Sequence, residues 1–335
     1  MARLSKWIDA IPTAGRVSDA ARVSLEARLA SVAYWLPLAA RQIDEDIEKV
    51  HQLRVSTRRA IAALRLYRDW LPRDEYAWLS RRLKSVRRAA GAARDLDVLA
   101  DWIRDELGGQ SGALVAIVAD ERAAAQPAIM AIADKCEAEN RFRRKMYGLL
   151  ASVRPRGKRH KKQDVSFHNW AETQLAQVTE GFFAALPNQS SDLSALHEFR
   201  IQGKHLRYTL ELLASAFGPE LKEAYYPVVE ELQEQLGRIN DCVAADGRLR
   251  RWRKKFDGHA ERETLDRLIA AKHAELDKAL AEYRGWWTAE RAESLRYGLA
   301  SLVGGAEQAR LNSNGAHDDH DERAPSAETS AANPR

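Results

Sequence analysis

Two stretches decide how this chain is read: VHQLRVSTRRAIAAL, residues 50–64, and LHEFRIQGKHLRYTL, residues 196–210. Aligned without a gap, they place His51 on His197, Arg54 on Arg200 and Arg58 on Lys204, a constant shift of 146 residues. The shift persists downstream, where GAARDLDVLA (from Gly91) falls on GRINDCVAAD (from Gly237) and Asp95 falls on Asp241. Segments that merely shared a composition would drift out of register over such a distance. The match is therefore read as two copies of one unit, which sets the architecture before any single motif does.

The spacing within each stretch is helical. At about 100° per residue, His51, Arg54, Arg58 and Arg65 share one face, and Leu53, Ala60, Leu64, Tyr67 and Leu71 share the opposite one. In the second copy His197, Arg200, Lys204 and Arg207 line up against Phe199, Leu206, Leu210, Leu213 and Phe217. Each helix is thus expected to pack one side into a core and to project a cationic side elsewhere.

The same periodicity covers most of the remaining chain, and the fold class expected is all-α: two pseudo-symmetric helical bundles from an internal duplication, around a basic central groove or pore. The first repeat, about 18–153, reads as helices near 18–42, 44–71, 73–90 and 93–107, with Gly91 ending one and Gly108–Gly109 breaking another, and further helix to 153. The second, about 166–303, reads as helices near 166–186, 192–217, 219–237, 240–256 and 259–303, with a break near Gly285. Asp95 and Asp241, next to the glycines, are expected to cap a helix or pair with an arginine. Residues 1–17 form an N-terminal extension. The linker 154–165 contains RPRGKRHKK, residues 154–162, in which six of nine residues are Lys or Arg; it is read as a solvated connector or an auxiliary anion contact. The tail 304–335, rich in Ala, Ser, Asn, Asp and Glu, is expected to be disordered.

Composition agrees. The 335 residues are 45% hydrophobic, enough for a sizeable core, and Leu, Ala, Arg and Glu outnumber β-branched and aromatic runs. Lys and Arg exceed Asp and Glu by 53 to 48, a small surplus whose placement matters more than its size. Cys136 and Cys242 stand alone, which implies neither a disulfide framework nor a zinc site. The N-terminus lacks the apolar run of a signal peptide, and no stretch reaches the length of a membrane span, so a cytoplasmic location is expected.

A basic face on an amphipathic helix is ordinarily just solvated. Here it occurs twice, it contains histidine, and acidic partners on the stripe are sparse, with Glu211 the exception. Arginine grips phosphate oxygens with a planar fork, lysine adds a compact charge, and histidine near a polyanion favours its cationic form. Donors repeating at the helical pitch of about 5.4 Å suit an extended, repeating anion better than a single compact one. Arg59, Arg81, Lys84, Arg87, Arg88 and Arg94 enrich the first copy; Lys84, Arg87 and Arg88 fall on Glu230, Gln233 and Glu234 in the second, so the first half should hold an anion more strongly.

The pattern H-x-x-R-(V/I)-x-x-(R/K), present twice and each time followed by G-x-x-(R/N)-D, resembles the CHAD family, named for its conserved histidines and α-helical fold. The resemblance covers roughly residues 18–303. It implies two helical bundles about a basic groove or pore, binding of inorganic polyphosphate, and association with polyphosphate granules and polyphosphate-metabolising proteins. The contacts implied are His51, Arg54, Arg58, His197, Arg200, Lys204 and Arg207; Arg59, Arg65, Lys84, Arg87, Arg88 and Arg94 are added from the charge pattern. Two positions depart from the family: Ile61 stands where many members carry Arg, and His205 where a second basic residue is usual. Some relatives carry a CYTH triphosphatase domain ahead of this region; its E-x-E-x-K motif is absent, and a stand-alone, non-enzymatic binding protein without a cofactor is expected.

Two other functions fit less well. A Mg-dependent polyphosphate hydrolase would need clustered carboxylates to hold the metal, and neither basic face carries them. Nucleic-acid binding would suit the basic helices and linker, but the pI is only about 9.1 and no helix-turn-helix, zinc or RRM signature occurs. A metal role for His51 and His197 is disfavoured by the arginine three residues after each.

Overall fold

A computed structural model of the chain describes residues 5–8, 10–11, 15–41, 48–108, 112–155, 164–189 and 191–315. The architecture is all-α. Ten long helices follow one another among the described residues: α1 (Val17–Arg41), α2 (Glu48–Leu66), α3 (Arg73–Leu107), α4 (Gly112–Glu137), α5 (Arg141–Ala151), α6 (Phe167–Ala184), α7 (Leu193–Leu213), α8 (Tyr226–Arg253), α9 (His259–Trp286) and α10 (Ala289–Gly315). A five-residue π-helical turn, Leu221–Tyr225, leads into α8. A shift of 146 residues lays α1 to α5 over α6 to α10 in order.

The apolar faces drive the packing. Leu53, Ala60, Leu64, Tyr67 and Leu71 are buried, as are Phe199, Leu206, Leu210 and Leu213, while Phe217 packs partly exposed against them. One core cluster runs through both repeats. Helices α2 and α7 touch each other, as do α1 and α6, so the halves share an interface rather than hanging from a linker. A second, smaller cluster joins Leu96, Leu99 and Ile103 of α3 to Leu249 and Trp252 of α8 and Leu265 and Leu268 of α9. Each fully buried Leu or Phe contributes roughly 1.5–3 kcal/mol. Two like charges about 8 Å apart near a protein surface cost about 2 kcal/mol. The shared core therefore outweighs the repulsion among cations brought together on the other face.

Three details differ from the sequence reading. Neither Gly91 nor Gly237 ends a helix: α3 runs unbroken to Leu107 and α8 to Arg253. A mid-helix glycine costs only about 1 kcal/mol relative to alanine, and burial of Ala89, Ala90, Ala93 and Leu96 around Gly91 exceeds that. The true stop is Gly108, whose φ of 53° is the left-handed conformation that closes helices. The backbone of α10 also continues past Gly304 to Gly315, through the helix-forming run AEQARL. The break expected near Gly285 falls between Trp286 and Ala289. Most of the basic linker, residues 156–163, and the tail beyond Gly315 lie outside the described residues.

The described residues of the N-terminal extension pack against the fold. Ile8 and Ile11 are buried in the main core. Trp7 meets the Tyr226 ring edge-on at 4.6 Å, and Lys6 pairs with Glu230 at 3.0 Å.

Candidate anion-binding site

The two cationic faces converge. Arg54 and Arg58 of α2 lie near enough to Arg200 and Lys204 of α7 to lower the proton affinity of both across the repeat boundary. Two aspartates enter the cluster. Asp95 of α3 pairs with Arg54 at 3.3 Å, and Asp241 of α8, its equivalent under the 146-residue shift, approaches Arg200 at 3.9 Å. Because α3 and α8 run on through their glycines, neither aspartate caps a helix; both do what the alternative reading expected, pairing with an arginine.

Burial sharpens the charge. Arg200 is 8% exposed, and Arg54, Arg58 and Lys204 are half-buried. Burial, followed by repulsion from Arg200, Arg58 and Arg54, pushes the Lys204 ammonium down to about 6. Ligand-free Lys204 is thus largely uncharged at neutral pH and ready to gain a proton beside an anion. Arg54 is lowered by burial and then by Arg58, and Arg200 by burial in spite of Asp241. His51 is lowered chiefly by burial, with Arg94, Arg54 and Arg58 adding to it against Glu48.

His197 is oriented from α8. Its Nδ1 lies 2.9 Å from Asn240 Oδ1, and Asn240 Nδ2 in turn faces Asp241 Oδ1 at 3.4 Å. The amide oxygen can only accept, so Nδ1 carries the proton and donates it. Neutral His197 then offers Nε2 as an acceptor, and must be protonated there to donate to a phosphate oxygen. Asn240 was not singled out from the sequence, although it stands at the position of Arg94 in the first repeat.

The other candidates are distributed as follows. Arg94 acts on His51. Lys84, Arg87 and Arg88 are exposed on α3, N-terminal to Arg94. Arg207 lies over the Tyr208 ring at 5.0 Å and donates to its hydroxyl at 3.3 Å. Arg65 is exposed and neighbours His205 rather than the central four. Arg59 departs most from the expected role. Its guanidinium grips buried Glu211 of α7 in a two-point bridge, at 2.7 and 3.2 Å. Glu211 also accepts from the Tyr226 hydroxyl at 2.9 Å and faces buried Arg28 at 3.9 Å. Arg59 therefore joins the two repeats instead of offering its charge to a ligand. Ile61 packs against the core, and burial and Arg65 push the His205 imidazole down to about 4, leaving it neutral at pH 7.

The family model of the CHAD domain matches residues 23–250, a span containing both basic helices and both aspartates. The chain belongs to the CHAD family. The likeness extends to solved structures: the CHAD domain from the plant Ricinus communis has 25% identity and a TM-score of 0.60, covering 89% of this chain and 96% of that one. PptA from Streptomyces chartreusis has the same fold at 18% identity and a TM-score of 0.59, covering 82% of this chain and 99% of its own. No curated protein matches the chain. Among the described residues of this CHAD protein, no group of three or more His, Cys, Asp or Glu side chains is placed to hold a metal ion, and no helix is long and apolar enough to cross a membrane.

Proposed function

We propose that this CHAD protein binds inorganic polyphosphate without transforming it, through one site shared by α2 and α7. The observation that carries the reading is the convergence of Arg54, Arg58, Arg200 and Lys204, with Asp95 and Asp241 set against them. A compact monoanion could satisfy one or two of these cations. A linear polyanion satisfies all of them, and His51, Arg94 and His197 extend the row at its margins. The non-catalytic part is supported by the two carboxylates nearest the cations, each directed at an arginine rather than at a shared metal position. The family resemblance adds a cytoplasmic place on polyphosphate granules, among polyphosphate-metabolising proteins.

Titrating the purified protein with long-chain polyphosphate and with orthophosphate tests the proposal. Polyphosphate is expected to bind tightly, and more weakly as salt rises, because bound cations are released from the polyanion. Equal, weak binding of both ligands overturns it. Steady Mg-dependent release of orthophosphate overturns the non-catalytic part. Displacement of polyphosphate by duplex DNA at equal phosphate concentration favours a nucleic-acid ligand instead.

A further inference from the structure

The two contacts that flank the crossing of α2 and α7 are built from equivalent positions yet differ in kind. The 146-residue shift carries Arg59 onto His205 and Arg65 onto Glu211. On one flank Arg59 and Glu211 form the two-point bridge, backed by Tyr226 and Arg28. On the other flank the same two positions hold His205 and Arg65, and the Arg65 charge disfavours a second charge on His205. One flank is closed by a part-buried ion pair, and its counterpart sets an arginine beside a neutral imidazole.

The open flank leads somewhere. Arg65 lines a cavity of about 590 Å³ between the end of α2 and the face of α6. Arg68 lies in the same lining, and α6 contributes Asn169, Thr173, Gln174 and Gln177. One carboxylate, Asp69, is also present. Two arginines with the side-chain amides of Gln174 and Gln177 make a surface suited to phosphate oxygens. Along α2, Arg65 lies seven residues beyond Arg58, about two turns or roughly 10 Å, so one extended anion can touch both.

We propose that the anion path of the central cluster continues past His205 to a second station at Arg65 and Arg68, and is closed on the equivalent flank by the Arg59–Glu211 bridge, so that a polyphosphate chain leaves the site on one side only. This rests on the reading of the central cluster as a polyphosphate site. Short chains fill the cluster and need nothing more. Long chains gain the additional contacts, and that gain is the length preference of the protein.

The test uses the full chain with the pair Arg65→Glu and His205→Arg, which copies the closed flank onto the open one. Binding of tripolyphosphate and of long-chain polyphosphate is measured by calorimetry for wild type and variant. Long-chain affinity is expected to fall about 10-fold, with tripolyphosphate affinity changed less than two-fold. Unchanged long-chain affinity overturns the second station. So does an equal loss for both ligands, which places the effect on the central cluster. Wild-type protein that binds neither ligand removes the polyphosphate reading itself, a distinct result. Should the pair fail to fold, as judged by circular dichroism, Arg65→Gln with Arg68→Gln alters only exposed side chains and carries the same expectation.

Discussion

Residues 81–94 of α3 and residues 227–240 of α8 occupy equivalent places in the two repeats and serve different neighbours. On α3 the positions hold Arg81, Lys84, Arg87 and Arg88, all exposed. On α8 they hold Pro227, Glu230, Gln233 and Glu234. Glu230 accepts from Lys6 and from the Tyr226 hydroxyl, and buried Gln233 fills the space beside Gly203 of α7. The second repeat uses this surface to hold the N-terminal segment, whose Trp7 rests on Tyr226. The first repeat leaves it to solvent, and there it is cationic. A duplicated unit can thus keep its fold while one copy takes up chain packing and the other attracts the ligand.

The largest test of this inequality is on stability. Glu211→Ala should lower unfolding free energy by about 3–5 kcal/mol in urea denaturation, because it leaves buried Arg28 and half-buried Arg59 without their shared carboxylate. Arg65→Ala, at the equivalent exposed position, should change it by less than about 0.5 kcal/mol. Similar losses at both positions would erase the distinction between closed and open flanks.

Binding comes next. His51→Ala with Arg54→Ala should weaken polyphosphate roughly 100-fold by calorimetry, about two charge-assisted contacts. His197→Ala with Arg200→Ala should weaken it about 10-fold, since the second repeat has fewer cations beside its stripe. Equal losses would mean that the surplus charge of the first half takes no part.

A proton accompanies the ligand. Lys204 is pushed down to about 6 by burial and then by Arg200, Arg58 and Arg54, and an anion replaces that repulsion with attraction, raising it again. Binding therefore takes up a proton above pH 6, and affinity should rise several-fold as pH falls from 8 to 6. Lys204→Arg keeps the charge at all these pH values and should flatten the profile. A wild-type profile that rises with pH contradicts the assignment. The smallest effect is expected from Lys84→Gln, Arg87→Gln and Arg88→Gln together: about a three-fold loss, mostly in association rate, seen by stopped flow at low salt.

Much of this was legible in the sequence, and the exceptions have physical causes. Period and register identified the buried and cationic faces of α2 and α7, because side-chain direction in a helix follows residue number. Gly91 and Gly237 misled because a local helix-breaking signal is weaker than the burial on either side of it. Arg59 looked like Arg58, since its buried partner Glu211 is 152 residues away in the chain. The one acidic residue on an otherwise basic stripe was the available hint. Arg65 keeps the helical pitch of the stripe, but only three-dimensional packing shows that it lines a cavity between α2 and α6.

Whether α2 and α7 enclose one site is best measured by tripolyphosphate stoichiometry. Wild type is predicted to bind one equivalent per chain, and that equivalent should be lost in Arg54→Ala/Arg58→Ala and equally in Arg200→Ala/Lys204→Ala. Two equivalents in wild type, with each variant losing one and keeping the other, would contradict a shared site.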